Sequence, residues 1–290
     1  MYSLDHGDSL EHPFRLVEIT QFDGGSYDYS RPHRHNYYEI FYFRHGRGEH
    51  DIDFTSFSIE APCLHFVSPG QVHQVRRDAD SDGWAILFTD DFYYLNLINR
   101  DILHDIPLLN QNHPRPIINL NPAANEEIVR TINGIRHELE NMNPYCDDAI
   151  RSLLNLLLIT SRRLFEDSEG ISVEETSNSR LQRKLRRMIE RNFYAMHEVS
   201  AYAYSLYVTP KYLNDVVKRI TGKTVSSLIQ ERILLEAKRL LAHSNYPIKD
   251  IASTLGFDDR SYFSRFFRDR VGKAPGLFRK QFEEGDATSA

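Results

Sequence analysis

Cysteine is nearly absent from this chain: of 290 residues, only Cys63 and Cys146 carry a thiol. Two cysteines exclude a disulfide framework and fit a reducing compartment, so a cytoplasmic location is expected and each thiol is read as free and structural. Long apolar runs are missing as well. The most apolar stretch, residues 153–159, is seven residues long and interrupted by Asn155, well short of the roughly 20 residues that cross a bilayer. The opening residues, MYSLDHGDSLEH, are polar and acidic and lack the apolar centre of a secretory signal. Neither a membrane nor an export role is expected. Lysine is absent from the first 183 residues, all eight lying between Lys184 and Lys280.

That last absence points to what is present. Residues 180–290 hold 21 Lys+Arg against 12 Asp+Glu, a net of +9, while residues 1–179 hold 14 against 29, a net of −15. One end of the chain is suited to a polyanion and the other is not. With 41% hydrophobic and 26% charged residues, the composition is that of an ordinary globular protein long enough for two domains.

Residues 1–120 are rich in Tyr, Phe, Ile and Val, in short alternating runs broken by Gly, Pro and Asp. EIFYF, FSIEA, CLHFV and WAILF read as strands of an all-β unit. A helical pattern occupies residues 121–165, first over 122–142 and again over 147–165, where Ile150, Leu153, Leu154, Leu157, Leu158 and Leu164 recur at steps of three and four. The second of these helices is a candidate dimerisation element, or packs within the chain. Residues 166–179, EDSEGISVEETSNS, read as a linker. A basic, all-helical region fills residues 180–290.

The basic region repeats itself. YLNDVVKRITGK from Tyr212 and YFSRFFRDRVGK from Tyr262 share Tyr, Leu or Phe, paired apolar residues, a basic residue and Gly-Lys at an offset of 50. Each segment follows a short helix carrying an alanine, Ala203 or Ala252, where two helices would cross, and Gly256 supplies a tight turn. Thr209-Pro210 and Asp258-Asp259 are positioned to cap the second helices. Helix, turn, helix with these features is a helix-turn-helix unit, used twice. The unbroken pattern TVSSLIQERILLEAKRLLAH, residues 224–243, predicts a helical connector roughly 30 Å long, close to the roughly 34–36 Å between successive major-groove faces of B-DNA.

GFDDRSYFSRFFRDRVGKAPGLFRK, residues 256–280, closely resembles the DNA-binding domain of AraC-type (AraC/XylS) transcription regulators, and the likeness extends over residues 180–282. It implies that Lys211 and Asn214 of the first unit, with Arg260, Ser261 and Arg265 of the second, face base edges. Lys218, Arg219 and Arg268 lie further along the same helices and suit phosphates. Asp215 departs from the pattern, standing where the second unit has Arg265, and either accepts from a cytosine amine or pairs with a neighbouring lysine.

A second constellation lies in PHRHNYYEIFYF, residues 32–43. His33, His35 and Glu39 share parity with Tyr37 and Phe41, so one strand projects them to one face. His-x-His-x3-Glu-x6-Gly, ending at Gly46, together with Pro69, Gly70 and His73 in SPGQVHQV, resembles the two motifs of cupin β-barrels. The spacing before His33 and a missing asparagine depart from the enzyme form, and cupin-like sensor domains of AraC-type regulators resemble the stretch closely. Three readings stay open. One is a barrel-lumen pocket for an organic ligand, lined by His33, Glu39, His73 and Trp84, with Tyr37 and Phe41 placed to close over it together with the segment 14–22, whose part in this only the resemblance implies. The others are a ligand-free set of hydrogen-bonded interior residues, and a metal site of His33, His35, Glu39 and His73.

The expected fold is therefore two-domain: an N-terminal all-β cupin-like barrel with accessory helices, and a C-terminal all-α domain with two helix-turn-helix motifs joined by a long helix. The resemblance implies a cytoplasmic, ligand-responsive, sequence-specific transcription regulator, an activator rather than an enzyme, needing no cofactor. Its partners would be double-stranded DNA, a small-molecule effector, a second copy of the chain and RNA polymerase. The alternatives are a metal-dependent cupin enzyme fused to a DNA-binding tail, and a ligand-independent DNA-binding protein whose barrel only dimerises.

Overall fold

Alternation with a period of two builds the N-terminal unit, and a period near 3.6 builds the rest. The computed structural model describes residues 12–19, 31–94, 103, 106–111, 115–169 and 177–287. These fall in two units, one within residues 6–173 and one within 174–290.

In the first unit the described strands are β1 (Phe14–Glu18), β2 (His33–Arg34), β3 (Tyr38–His45), β4 (Arg47–Ile52), β5 (Thr55–Glu60), β6 (Cys63–Val67), β7 (Val72–Arg77), β8 (Asp82–Phe88) and β9 (Ile117–Asn119). They form two antiparallel sheets, ordered β1-β8-β3-β6-β9 and β2-β7-β4-β5. Strand parity sorts the side chains of the five-stranded sheet. Tyr38, Ile40, Tyr42, Leu64, Phe66, Ile86 and Phe88 face outward onto two helices, α2 (Pro122–Asn141) and α3 (Cys146–Glu169), through Ile128, Ile132, Ile135, Leu154, Leu157 and Leu158. A short helix, α1 (Asp90–Tyr94), joins that cluster through Phe92 and Tyr93. Phe41, Phe43, Cys63, Val67, Ala85 and Leu87 face the other way and meet Ile52, Ile59 and Val75 of the second sheet. The space between the sheets is the lumen of a cupin-like barrel.

Two boundaries differ from the sequence reading. Residues 14–18 are an edge strand, paired with β8 in the register Phe14 to Phe88, and not an arm over the lumen; residues 20–22 lie outside the described residues. Helix α3 runs past Phe165 to Glu169. Arg162 Nε donates to Glu166 Oε1 at 2.7 Å, one turn on, and such a pair adds about 0.3–0.5 kcal/mol to a helix that apolar periodicity does not mark. Of the expected linker, residues 170–176 lie outside the described residues, and Ser177 opens the next helix. Among the described residues no helix is long and apolar enough to cross a membrane.

The second unit contains α4 (Ser177–Asn192), α5 (Val199–Ser205), α6 (Pro210–Thr221), α7 (Val225–His243), α8 (Ile248–Thr254), α9 (Arg260–Val271) and α10 (Pro275–Ala287). Helices α5–α6 and α8–α9 are the two copies of the repeat. Ala203 and Ala252 are buried where the helices cross, and their carbonyls accept from Val208 N at 3.0 Å and Phe257 N at 2.9 Å. Thr209 caps α6 through Tyr212 N, and Asp259, not Asp258, caps α9. The repeat offset is therefore not uniform. It is 49 between Ala203 and Ala252 and 50 between the caps Thr209 and Asp259, so the second turn carries one extra residue. The common core of the unit takes Leu213 and Val217 from α6 and the matching Phe263 and Phe267 from α9, packed around Ile229, Ile233 and Leu241 of α7. Arg232 of α7 is 4% exposed. It is held by Glu190 Oε2 at 2.7 Å and Glu236 Oε2 at 3.1 Å, with its guanidinium 3.9 Å above the Phe193 ring.

Gly256 has φ +77, and a Cβ there would lie 2.1 Å from the Tyr194 carbonyl oxygen; Tyr207, φ +57, takes the matching place in the first unit. Gly272 also has positive φ but open space around it. Gly256→Ala should therefore destabilise the unit by about 2–4 kcal/mol, combining left-handed strain with a backbone clash, and Gly272→Ala by only about 1–2 kcal/mol. Chemical denaturation followed through the helical transition distinguishes the two, and equal losses would contradict the close approach at Gly256.

Candidate functional site

The sequence places histidines on strands at inward parity, and the two sheets bring them together. His33 of β2 lies opposite His73 of β7, and His50 of β4 and His65 of β6 complete the group with His35 and Glu39. His35, Glu39, His50, His65 and His73 are each no more than 1% exposed, while His33 is half-buried at the margin. His35 Nε2 lies 3.1 Å from Glu39 Oε2 and 3.0 Å from His73 Nε2, and His73 Nε2 is 3.4 Å from Glu39 Oε2. Behind them His73 Nδ1 is 3.2 Å from His50 Nε2, and His50 Nδ1 is 3.3 Å from His65 Nδ1.

Backbone carbonyls fix two of the tautomers. His33 Nδ1 lies 2.9 Å from the Arg31 oxygen and His35 Nδ1 lies 2.8 Å from the Tyr37 oxygen. A carbonyl only accepts, so each Nδ1 carries the proton. Nε2 is then the nitrogen that each ring turns to the cluster. Tyr37 also stacks on His35, with centroids 3.9 Å apart and planes within 4°. Burial pushes the His73 and His50 pKa values well down, and neighbouring imidazoles push the same way, His33 first for His73 and His65 first for His50. Burial alone takes His65 to about 3. The inner rings are neutral, suited to hydrogen-bonding a polar ligand or to holding a cation.

Trp84 is not among them. It sits at opposite parity from Ala85 and Leu87, on the outer face, in a groove of about 640 Å³ with Phe14, Leu16, Arg136 and Leu139, and the Arg136 guanidinium lies 5.8 Å from its ring centroid. Parity shows that Trp84, Ile86 and Phe88 point together, but not which way. His50 and His65 belong to no motif. The available signal is a lone histidine at inward parity in an otherwise apolar strand, CLHFV, and another two residues before Ile52.

The second helices of the two repeats, α6 and α9, present matched surfaces. Residues 211–220 and 261–270 have the same sequence of exposed, intermediate and buried positions. Lys211, Asp215, Lys218 and Arg219 are exposed on α6, and Arg260, Ser261, Arg265 and Arg268 on α9. Spacings of three and four keep 211, 215 and 218 on one face, as they do 261, 265 and 268. Among the described residues, none of the six cations Lys211, Lys218, Arg219, Arg260, Arg265 and Arg268 is in an ion pair. Asp215 likewise pairs with no lysine there. Asn214 differs from its expected place at the base edges. It is half-buried, and its Oδ1 accepts from Val225 N at 3.0 Å, joining α6 to the start of α7.

A barrel with a buried polar cluster and a double helix-turn-helix unit with open cationic faces together define a transcription regulator with its own sensor. The profile of the AraC-like ligand binding domain matches residues 16–185, and that of a helix-turn-helix domain matches residues 202–281. The chain belongs to the AraC family, as a DNA-binding transcription regulator with an AraC-like ligand-binding domain. It is 25% identical over 252 residues to the HTH-type transcriptional activator RhaR of Cronobacter sakazakii, covering 86% of this chain and 87% of that one. It is 26% identical over 256 residues to RhaS of Shigella dysenteriae, covering 86% and 87%. Among solved structures, fatty acid-bound ToxT from Vibrio cholerae aligns at 13% identity over 92% of this chain and 94% of that one, with a TM-score of 0.39. RhaR and RhaS are transcriptional activators, not enzymes, in line with the non-enzymatic role expected from the sequence.

The low His65 pKa has a consequence for stability. Its folded value of about 3 lies below the unfolded value of roughly 6.5. Below pH 6.5 the unfolded chain therefore takes up the proton first, so stability present above that pH is lost as pH falls toward 3. Each pH unit in this window should remove roughly 1.4 kcal/mol on account of His65. Denaturation midpoints between pH 7 and 5 test this: His65→Phe should flatten the slope, and an unchanged slope in a folded variant would contradict a neutral, buried His65.

Proposed function

We propose that the chain is a transcriptional activator in which a small polar effector, held in the barrel lumen by His33, Glu39 and His73, changes how the double helix-turn-helix unit binds DNA. One observation carries the reading: α6 and α9 repeat the same exposure pattern, residue for residue, and hold unpaired cations on it. Ser261 and Arg265, with Arg260 at the helix start, read bases from the second unit, and Lys211 from the first. Arg265 offers a bidentate fork to guanine O6 and N7. Lys218, Arg219 and Arg268 contact phosphates and set register. The half-buried position of Asn214 supports leaving it out of the reading face and giving it the α6–α7 junction instead.

The names of the relatives, both activators, support activation and hence RNA polymerase as a further partner. The two cysteines support a cytoplasmic setting. The domain limits we infer are a barrel ending near residue 120, a helical pair over 122–169 and a DNA-binding unit from 177. Helix α3 exposes Leu156, which supports its use as a dimer seam. Two chains would then present two DNA-binding units, and effective concentration would raise affinity for paired half-sites.

Arg265→Ala should weaken binding to the specific operator by about 1–3 kcal/mol and relax preference at one base, whereas Lys218→Ala should weaken all duplexes alike and lower the salt slope by about one. Titrations of both variants against operator and random duplex at several salt concentrations decide it. Equal losses on both duplexes for both variants would overturn the division of roles.

A further inference from the structure

The helix ahead of the first repeat carries a charge that the two reading helices leave unexplained. Helix α4 holds six Lys+Arg against one Glu in 16 residues, a net of +5. Helix α7 stands in the same place ahead of the second repeat, with three Lys+Arg against two Glu, a net of +1, and its Arg232 and Arg239 are buried. The repeats match, yet the helices that precede them differ in chemistry.

The cations of α4 are ordered. Arg180, Lys184, Arg187 and Arg191 follow one another at steps of four, three and four, which makes them one stripe about 16 Å long. Arg180, Lys184 and Arg191 are exposed and Arg187 is half-buried. Leu185 and Ile189 take the opposite side of the helix into the core of the unit. Lys184 and Arg191 are in no ion pair among the described residues. The single acid of the helix, Glu190, is engaged elsewhere, accepting from Arg232 Nε at 2.7 Å.

That contact fixes one end of α4 to α7. The other end is fixed to the first reading helix: Tyr212, next to Lys211 in the first turn of α6, donates from its hydroxyl to Asn178 Oδ1 at 3.1 Å. A helix is roughly 10 Å across, and the major groove is roughly 12 Å wide between its phosphate walls. With α6 in the groove, a helix held at its side comes to one wall, and its exposed cations extend along the backbone beyond. The first unit also has the greater need of such a contact, because α6 carries Asp215 where α9 has Arg265.

We propose that the stripe of Arg180, Lys184 and Arg191 on α4 is a third DNA contact, a sequence-independent clamp on the phosphates flanking the first half-site. The inference rests on the reading that α6 and α9 bind DNA, and it adds a surface outside both helix-turn-helix motifs.

The test titrates full-length protein against operator and random duplex at a series of salt concentrations. Each phosphate contact contributes about 0.9 to the steepness of log K against log salt. Lys184→Gln and Arg191→Gln should each reduce it by about 0.9, and the triple variant with Arg180→Gln by about 2.7, with affinity at least ~10-fold lower on both duplexes. Hydroxyl-radical footprints of the triple variant should lose protection beyond the first half-site and keep it at both half-sites. Arg163→Gln removes an exposed cation from α3 instead and should change neither readout. Arg191→Lys keeps the charge and should keep the steepness, which separates lost contact from lost fold. An unchanged steepness in the folded triple variant overturns the clamp. So does an equal fall with Arg163→Gln, which would make the effect one of net charge. A rise in affinity for both duplexes would assign the stripe to an acidic protein surface and overturns it equally. If wild-type protein binds neither duplex, the DNA-binding reading itself fails; if Lys218→Ala reduces the steepness and the α4 variants do not, only the clamp does.

Discussion

An imidazole taken out of water must give each nitrogen a partner of the right kind, because an unmatched polar atom in a barrel interior costs about 1–3 kcal/mol. In this chain the matching begins outside the cluster, with the carbonyls of Arg31 and Tyr37. By accepting from Nδ1 they settle which nitrogen of His33 and His35 faces inward and in what form. The inner rings continue the order, with His73 joined to His50 and His50 to His65. At the far end His65 Nε2 is buried without a partner. A buried polar atom so placed costs stability that an apolar residue there would not. Polar groups kept at a cost to stability are characteristic of sites that bind something.

The second unit solves a different problem with the same economy. Two helix-turn-helix motifs must hold their second helices at a set separation, and the 19 residues of α7, about 28 Å at 1.5 Å per residue, form the beam between them. Its attachment to α4 is polar where most of the unit is apolar. Arg232 is almost wholly buried between Glu190 and Glu236 and against Phe193. Such a network adds little net stability over a hydrophobic substitute, yet breaking one side of it leaves a buried charge and costs about 3–5 kcal/mol. It therefore fixes which rotation of α7 is allowed. Asn214 ties α6 to the first turn of α7, seven residues before Arg232. Rotation and registry of the N-terminal half of the beam are set by these directed contacts, which greasy packing alone leaves less determined.

Much of this was legible in the sequence, and the exceptions share a cause. The repeat, its caps, the crossing alanines and the strands EIFYF, FSIEA, CLHFV and WAILF follow from spacing, and the structure has them. The shared parity of His35, Glu39 and Phe41 was equally visible. Period-two arguments group residues by face but carry no sign, so Trp84 with Ile86 and Phe88 was assignable to a face and not to the interior. His50 and His65 join the cluster through pairings between distant strands, across 15 residues between themselves and 23 from His50 to His73, and no local pattern encodes those. The extra residue in the second turn and the cap at Asp259 instead of Asp258 are single-residue shifts that two adjacent aspartates leave undecided. Asn214 matched an exposed reading position by family pattern, but its hydrogen bond to Val225 depends on how α7 leaves the turn.

Sensor and reader are built from opposite charge, −15 against +9, and that asymmetry has a physical use. A polyanion attracts the reader over a Debye length of roughly 8 Å at physiological salt and repels the sensor over the same range. The long-range field therefore orients the chain before any base is touched, and it does so without regard to sequence. Discrimination must then come from short-range contacts on α6 and α9, where the units reverse charge at Asp215 against Arg265 and again at Arg219 against Asp269. An acid among phosphates lowers affinity for every duplex, so its place on the reading face is favourable only where a base donor meets it, as a cytosine amine does. In the proposed reading Arg265 would give one unit attraction and a guanine fork, while Asp215, on the same face as Lys211 and Lys218, would penalise most sequences in the other. Specificity in a double reader of this kind comes from the repulsive half as much as from the attractive one.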